Sequence, residues 1–222
     1  MPRTTRVDVG GEVYHVLNRA NGRYQIFNTK EDYRIFERLL LEAKELIDMR
    51  ILAYTVMPNH WHMVLYPKND GDLGLFMHRL TNTHTRKVHA LTNSNGTGHL
   101  YQGRYKSFLV DTDNYVLSVI KYVESNPLRA KLVRQCEDWQ WGSAWRRING
   151  TKQEKKLLDT PPIPLPDDYV NWVNTPDPSV LETIRTSVAK GVPYGRERWV
   201  DMMALKYHLE STMRPPGRPK KR

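Results

Sequence analysis

Two histidines in the stretch VMPNHWHMVLYP, residues 56–67, are the residues best suited to metal chemistry. Side chains alternate between the two faces of a strand, so the pattern predicts that His60 and His62 share one face and that Trp61 points to the other. Two imidazoles one pleat repeat apart can bind one metal ion. They can also be ordinary histidines on a polar sheet face, because a motif of three residues has little specificity. The surrounding sequence has to distinguish these two interpretations.

A tyrosine is the candidate nucleophile for such a site. A metal ion held near a phosphate ester would act as a Lewis acid on a phosphate oxygen, which would suit phosphoryl transfer. The only cysteine, Cys136, lies well away from the histidine strand in sequence, whereas Tyr115 stands in the first turn of the helix after the fourth predicted strand. Its phenol, with an ordinary pKa of about 10, would need a nearby cation to ionise. Tyr122 lies two turns further along the same helical face and is expected to be a packing or backbone-contact residue.

The whole chain has a formal net charge of +10 at pH 7, which favours a polyanionic partner. Its basic residues are concentrated in one part of the sequence. No acidic residue occurs between Leu73 and Val110, although protein surfaces ordinarily mix both signs. A basic run is often only a solvated helix face, but this window favours contact with a phosphate backbone. The terminal RPPGRPKKR is either a minor-groove segment resembling an AT-hook or a disordered basic tail that adds affinity. The predicted nucleic-acid contacts are Arg19, Arg79, Arg86, Lys87, Arg104, Lys106 and Arg218.

Hydrophobic periodicity predicts the elements that would position these residues. Strands are predicted over residues 12–20, 50–58, 60–67 and 105–110, and helices over 29–50, 71–91 and 112–126. Up to residue 110 the order is β-α-β-β-α-β, which predicts a ferredoxin-like α+β fold, an antiparallel sheet with helices on one face. We expect a catalytic domain over 1–135, a mostly helical or irregular C-terminal extension over 136–213 and a basic tail over 214–222. His15, in the first strand, is expected to be structural.

The composition argues against secretion and membrane insertion. No apolar run is long enough to span a bilayer, and the N-terminal residues lack the apolar core of a signal peptide. A single cysteine excludes an intrachain disulfide and a cysteine-rich zinc site. The expectation is a cytoplasmic protein that binds nucleic acid, with a monomer favoured.

Five stretches carry a family resemblance: YHVLNRANGRYQIF, AYTVMPNHWHMVLYP, HLYQGRYKSFLVDTDNYVLSVIKYVESNPLRAKLV, DWQWGSAW and the terminal GRPKKR. In order along the chain they resemble the single-tyrosine HUH transposases, and most closely the REP-associated tyrosine transposases. The resemblance implies a Mg²⁺ or Mn²⁺ ion held by His60 and His62, and attack by Tyr115 to give a 5′-phosphotyrosine and a free 3′-OH. It also implies a substrate: repetitive extragenic palindromic (REP) DNA, folded as a single-stranded hairpin with a short 5′ guide sequence.

One position departs from the pattern of this family. Related single-tyrosine transposases carry a glutamine four residues after the nucleophile as a third metal ligand, and Val119 occupies that position here. Glu124, Asn126, a residue elsewhere or water is expected to replace it. Imidazole ligands also suit zinc, so the preference for magnesium rests on the resemblance. Two alternatives stay open: a non-catalytic module that holds structured nucleic acid on the same sheet, and a zinc hydrolase, which would need a third strong ligand.

Overall fold

Four strands form one antiparallel sheet in the computed structural model, which describes residues 6–94, 96 and 98–214. In chain order they are β1 (Val13–Arg19), β2 (Arg50–Met57), β3 (His60–Tyr66) and β4 (Lys106–Val110). Their order in the sheet is β2-β3-β1-β4, so β3 and β1 are central. The predicted α+β fold with a ferredoxin-like antiparallel sheet is confirmed.

Two long helices, α1 (Lys30–Ile47) and α2 (Asp72–Thr92), lie on one face of this sheet. Thr29 begins α1 with a capping box, in which its side chain accepts a hydrogen bond from the Asp32 amide and the Asp32 carboxylate accepts one from the Thr29 amide. The apolar sides of both helices pack on alternate strand residues. Those strand residues include Tyr14, Val16, Tyr54, Trp61, Met63 and Leu65.

A third helix, α3 (Asn114–Glu124), covers the opposite face. It packs through Val116, Val119, Ile120 and Val123 on strand residues that alternate with those of the first face. Because alternate residues of β3 point to opposite faces, α3 covers the face that carries His60 and His62. The histidines therefore lie beneath a helix rather than on an open sheet.

The C-terminal extension is mostly helical, and it covers both edges of the sheet. The Val56 amide in edge strand β2 donates to the Trp141 carbonyl at 2.9 Å, and the Tyr194 amide donates to the Leu109 carbonyl in edge strand β4 at 2.8 Å. The backbone groups that make these bonds are not available to pair with other chains. The helices are α4 (Asn126–Arg129), α5 (Ser143–Asn149), α6 (Lys152–Lys155), α7 (Tyr169–Asn174), α8 (Pro178–Lys190), α9 (Glu197–Lys206) and α10 (Glu210–Met213).

The extension shares a hydrophobic core with the sheet. Trp141, Leu157 and Met203 are buried in the same cluster as the side chains of α1 and α2. Residues 215–222, which include the predicted contact Arg218, lie outside the described residues. In the part of the chain that the structure describes, no helix has the length and apolar character needed to cross a membrane.

Candidate active site

His60 and His62 lie together on the face that α3 covers, while Trp61 is buried on the other face. The centroids of the two imidazole rings are 5.1 Å apart, and the ring planes are nearly perpendicular at 80°. His62 is buried, and His60 is half-buried at the start of β3. Strand alternation thus places two imidazoles where one ion can contact both.

Burial keeps both imidazoles neutral at pH 7. It lowers the pKa of His60 to about 4, with a smaller contribution from the Arg19 guanidinium. It also lowers the pKa of His62 well below the ordinary value for histidine. His60 Nδ1 is 2.7 Å from the side-chain oxygen of Asn59, so it is the donor and the lone pair is on Nε2. A neutral imidazole with a free lone pair is the form that binds metal.

A third histidine, His15, contacts His62 from the neighbouring strand β1. His15 Nε2 is 2.9 Å from His62 Nδ1, and the His15 ring stacks on Phe108 with centroids 4.7 Å apart. Complete burial lowers the pKa of His15 to about 3. The sequence did not reveal this contact, because His15 lies opposite Val64 and reaches His62 diagonally across a register that only the folded sheet defines.

These imidazoles fit part of a divalent-metal site. Among residues 6–94, 96 and 98–214, no group of three or more His, Cys, Asp or Glu side chains is arranged to hold a metal ion. His60 and His62 would therefore leave several coordination positions to water, phosphate or an amide oxygen. That suits an ion such as Mg²⁺ or Mn²⁺, which takes much of its coordination from water and substrate oxygens.

Tyr122, rather than Tyr115, faces the histidines. The ring centroid of Tyr122 is 5.9 Å from that of His62 and 5.9 Å from that of His15, both in edge-on geometry. Tyr115 packs edge-on against Tyr194 instead, with ring centroids 5.1 Å apart. The structure thus brings Tyr122 to the histidine pair and leaves the predicted Tyr115 outside it.

The ends of the sheet explain why Tyr115 is remote. β4 ends at Val110, which lies opposite Val13 at the beginning of β1. His60 lies opposite Arg19 at the end of β1. Tyr115 follows β4 closely in sequence and therefore stands at the end of the sheet away from His60.

The course of α3 then carries Tyr122 to the histidines. Two turns of helix, from residue 115 to residue 122, cover about 10 Å at 1.5 Å per residue. The Thr55 hydroxyl donates to the Val123 carbonyl at 2.9 Å, and Thr55 lies opposite His62 in the sheet. This bond fixes the last turn of α3 beside the histidine strand.

Arg129, at the end of α4, lies over the Tyr122 ring with its guanidinium carbon 4.4 Å from the ring centroid. Its Nη1 donates to the Tyr122 carbonyl at 2.9 Å and to the Ser125 hydroxyl, so the guanidinium is anchored. Burial raises the pKa of Tyr122, while Arg129 and then Arg185 and Arg19 act in the opposite direction. The site therefore contains cations that favour the ionised phenol.

A family model described as IS200-like transposase matches residues 9–126 of the chain. The chain belongs to the IS200-like transposase family. The matched range contains both histidines of the pair and both tyrosines, and the transposase resemblance predicted from the sequence is confirmed at this level. The protein is thus a DNA-processing protein of the transposase type.

Two solved structures are similar to this transposase. A REP-associated tyrosine transposase bound to a REP hairpin has a TM-score of 0.56 and 21% identity, and the match covers 66% of this chain and 84% of that one. A protein from Deinococcus radiodurans R1, described as a transposase, has a TM-score of 0.39 and 18% identity, with 56% and 97% covered. No curated protein matches the chain. The first of the two structures shows that the fold is shared.

Val119, which occupies the position of the family's glutamine, and Glu124, one of the residues expected to replace it as a ligand, both have other surroundings. Val119 is fully buried in the apolar core beneath α3. The Glu124 carboxylate accepts hydrogen bonds from Ser143 Oγ at 2.6 Å, Arg147 Nε at 3.0 Å and the Tyr169 hydroxyl at 2.7 Å. Glu124 therefore joins α3 to α5 and α7, and both of its oxygens are engaged.

Two basic grooves meet at Arg104 and Tyr105. One, of about 640 Å³, runs along β4 and is lined by Lys106 and Lys190 among others. The second, of about 620 Å³, lies beside α2. No acidic residue is among the described residues that line either groove. Positive charge beside a partly exposed aromatic ring is typical of surfaces that bind single-stranded nucleic acid.

The predicted nucleic-acid contacts fall into three groups. Arg104 and Lys106 are exposed and line the grooves. Arg19 lies opposite His60, and its buried Nε has no hydrogen-bond partner in the described part of the chain. The remaining three residues are exposed on α2 but line neither groove: Arg79, Arg86 and Lys87.

Proposed function

We propose that this protein is a metal-dependent single-stranded DNA endonuclease and strand transferase in which Tyr122 is the nucleophile. The observation that carries this proposal is the edge-on placement of the Tyr122 ring 5.9 Å from His62. Tyr122 thereby replaces Tyr115 in the role that the sequence suggested. A module that only binds nucleic acid has no need for two neutral imidazoles, a tyrosine and a guanidinium in one place.

His60 and His62 would hold the divalent ion, Mg²⁺ or Mn²⁺, which when bound stabilises charge on a phosphate oxygen. The Tyr122 oxygen attacks the scissile phosphorus and forms a P–O bond, while the bond from phosphorus to the 3′ oxygen breaks. The phenol proton passes to solvent, and the departing 3′ oxygen takes up a proton. The products are a 5′-phosphotyrosine and a free 3′-OH. Because the phosphotyrosine conserves the energy of the broken bond, another 3′-OH can displace Tyr122 without ATP.

Arg129 and Asn126 complete the proposed site. Arg129, over the Tyr122 ring, favours ionisation of the phenol. Asn126 stands four residues after Tyr122, where related single-tyrosine transposases carry a glutamine ligand, and its side-chain nitrogen donates to the Tyr122 carbonyl at 3.4 Å. Its side-chain oxygen would be the third protein ligand. This spacing supports Tyr122 as the nucleophile, independently of the distances between its ring and the histidines.

The proposed substrate is REP DNA folded as a single-stranded hairpin with an unpaired 5′ guide. The similar solved structure with a TM-score of 0.56 is bound to a REP hairpin, and it supports this substrate class. The two grooves, which meet at Arg104 and have no acidic residue among their described lining residues, suit a phosphate backbone. A guide that is read by base edges and stacking must be unpaired, so the hairpin should bind better than a duplex of the same sequence.

A matched pair of variants tests the nucleophile. Tyr122→Phe and Tyr115→Phe each remove one oxygen from the same helix and change little volume. Each variant is incubated with Mn²⁺ and labelled single-stranded REP hairpins, and covalent protein–DNA adducts are resolved on a denaturing gel. Tyr122→Phe should bind the hairpin and form no adduct, whereas Tyr115→Phe should form it as the wild type does.

The reverse result, with loss of the adduct only in Tyr115→Phe, would return the nucleophile to Tyr115. Hairpin binding by the wild type with no adduct or cleavage in Mg²⁺ or Mn²⁺ would favour the non-catalytic binding module. Adduct formation that persists in excess chelator would refute the metal dependence.

A further inference from the structure

His15 is a fully buried histidine that the proposed reaction does not use. Its ring lies against Phe108 and His62, with centroids 4.7 Å and 5.1 Å away. Its Nε2 is 2.9 Å from His62 Nδ1, and its Nδ1 is buried with no hydrogen-bond partner in the part of the chain that the structure describes. An apolar side chain would fill the same space without an unpaired nitrogen, so packing alone does not explain the imidazole.

A hydrogen bond between two neutral imidazoles has one donor and one acceptor. If His15 Nε2 donates, His62 Nδ1 accepts and the single proton of His62 sits on Nε2, which then has no lone pair for a metal. If His62 Nδ1 donates, His62 Nε2 carries the lone pair and His15 accepts through its own Nε2. Only the second arrangement leaves His62 able to bind an ion through Nε2.

We propose that His15 is a positioning residue for the metal site: its Nε2 accepts the Nδ1 proton of His62 and so keeps the His62 Nε2 lone pair free for the ion. The proposal rests on the proposed function, in which His60 and His62 hold a divalent metal. Asn59 does the same for His60, because its side-chain oxygen accepts the His60 Nδ1 proton at 2.7 Å.

The two ligands are therefore oriented by different partners. His60 depends on an amide next to it in sequence, at the half-buried start of β3, and His62 depends on an imidazole buried in the core. His15 is not itself a ligand, because its Nε2 is engaged by His62 and its Nδ1 is buried on its own. The arrangement fixes which nitrogen of each ligand meets the ion.

Mn²⁺ affinity of the full-length protein tests this role without reference to cleavage. His15→Phe keeps an aromatic ring for Phe108 to stack on but removes the acceptor, and it should weaken Mn²⁺ binding about 10- to 100-fold. His15→Gln restores an oxygen that can accept the same proton, and it should recover most of the affinity. Binding is measured from the electron paramagnetic resonance signal of free Mn²⁺, and folding from the far-ultraviolet circular dichroism spectrum.

His84→Phe is the matched control. His84 is as deeply buried as His15 but packs under the opposite face, where its Nδ1 is 2.7 Å from the Tyr101 hydroxyl. This variant removes a buried imidazole away from the ligands and should bind Mn²⁺ as the wild type does. A general effect of core substitution would weaken Mn²⁺ binding by His84→Phe and His15→Phe alike.

Long-range ¹H–¹⁵N correlation spectra of the wild-type imidazoles give a second readout that requires no variant. With saturating Mg²⁺, both His62 and His15 should carry their proton on Nδ1. A wild type that binds no Mn²⁺ would refute the metal site of the proposed function, and the role of His15 with it. Tight Mn²⁺ binding that is unchanged in folded His15→Phe, or a His62 proton on Nε2 in the Mg²⁺ complex, would overturn the role of His15 alone.

Discussion

Four histidines that burial keeps neutral, including the half-buried His60, should make this protein sensitive to mild acid. Burial lowers the pKa of His15 and of His84 to about 3 and that of His60 to about 4, and it lowers the pKa of His62 well below its ordinary value. In the unfolded chain all four return to about 6.5. As the pH falls below that value, the unfolded state binds protons that the folded state does not, so stability present at neutral pH is lost.

The size of the loss follows from the same pKa values. At pH 5.5, one unit below the unfolded pKa, His15, His84 and His60 each cost about 1.4 kcal/mol of the free energy of unfolding relative to pH 7.5, and His62 adds to this loss. Together His15, His84 and His60 cost about 4 kcal/mol, which approaches the whole stability of many domains. The protein should therefore be close to unfolding near pH 5.5, well above the pH at which carboxylates titrate.

Urea unfolding at pH 7.5, 6.5 and 5.5, in the presence of chelator so that metal release does not contribute, measures this loss. His84→Phe removes one of the four groups without touching the metal site, and it should reduce the difference between pH 7.5 and 5.5 by about 1.4 kcal/mol. Equal free energies of unfolding at the two pH values would refute the reasoning, because the folded protein would then bind the same protons as the unfolded chain.

Three further predictions concern the ligands, the buried network and the grooves. His60→Ala should abolish cleavage and leave hairpin binding nearly intact, as measured on gels and by fluorescence anisotropy; retained cleavage would exclude a metal role for this side chain. Glu124→Leu leaves the Arg147 guanidinium without its buried partner and should cost ~3–5 kcal/mol in urea unfolding, whereas Glu124→Leu with Arg147→Met should recover much of it. Arg104→Ala and Lys106→Ala should each reduce the slope of log affinity against log salt by about 0.7 per lost phosphate contact, and an unchanged slope would place the DNA elsewhere.

The strands and main helices could be predicted because each has a hydrophobic period that matches its packing. In β3, Trp61 and Met63 alternate with His60 and His62 as expected of a strand, and the apolar stripe of α1 shows the period of a helix. The shared face of His60 and His62 follows from that alternation alone. These properties depend on residues a few positions apart, and local sequence contains them.

The partners of the histidines could not be predicted in the same way, because they depend on long-range register. Tyr115 is close to β4 in sequence, but the last residue of β4 lies opposite the beginning of β1, whereas His60 lies opposite the end of β1. His15 looks like one polar residue in an apolar strand until β1 pairs with β3 and brings it to His62. The burial of Glu124 by residues 143–169 likewise requires the extension to be folded onto the sheet.

The spacing of residues on α3 and α4 connects two discrepancies that looked separate in the sequence. Residues four apart share a helical face, so a third ligand four residues after the nucleophile must lie on the same side of the helix. Counted from Tyr115, that position is Val119, which is fully buried in an apolar cluster and has no atom to offer a metal. Counted from Tyr122, it is the half-buried amide Asn126, at the junction where α3 is followed directly by α4. Both discrepancies, the absent glutamine and the remote position of Tyr115, disappear if the nucleophile lies two helical turns further along α3. The proposed reassignment of the nucleophile to Tyr122 therefore removes both.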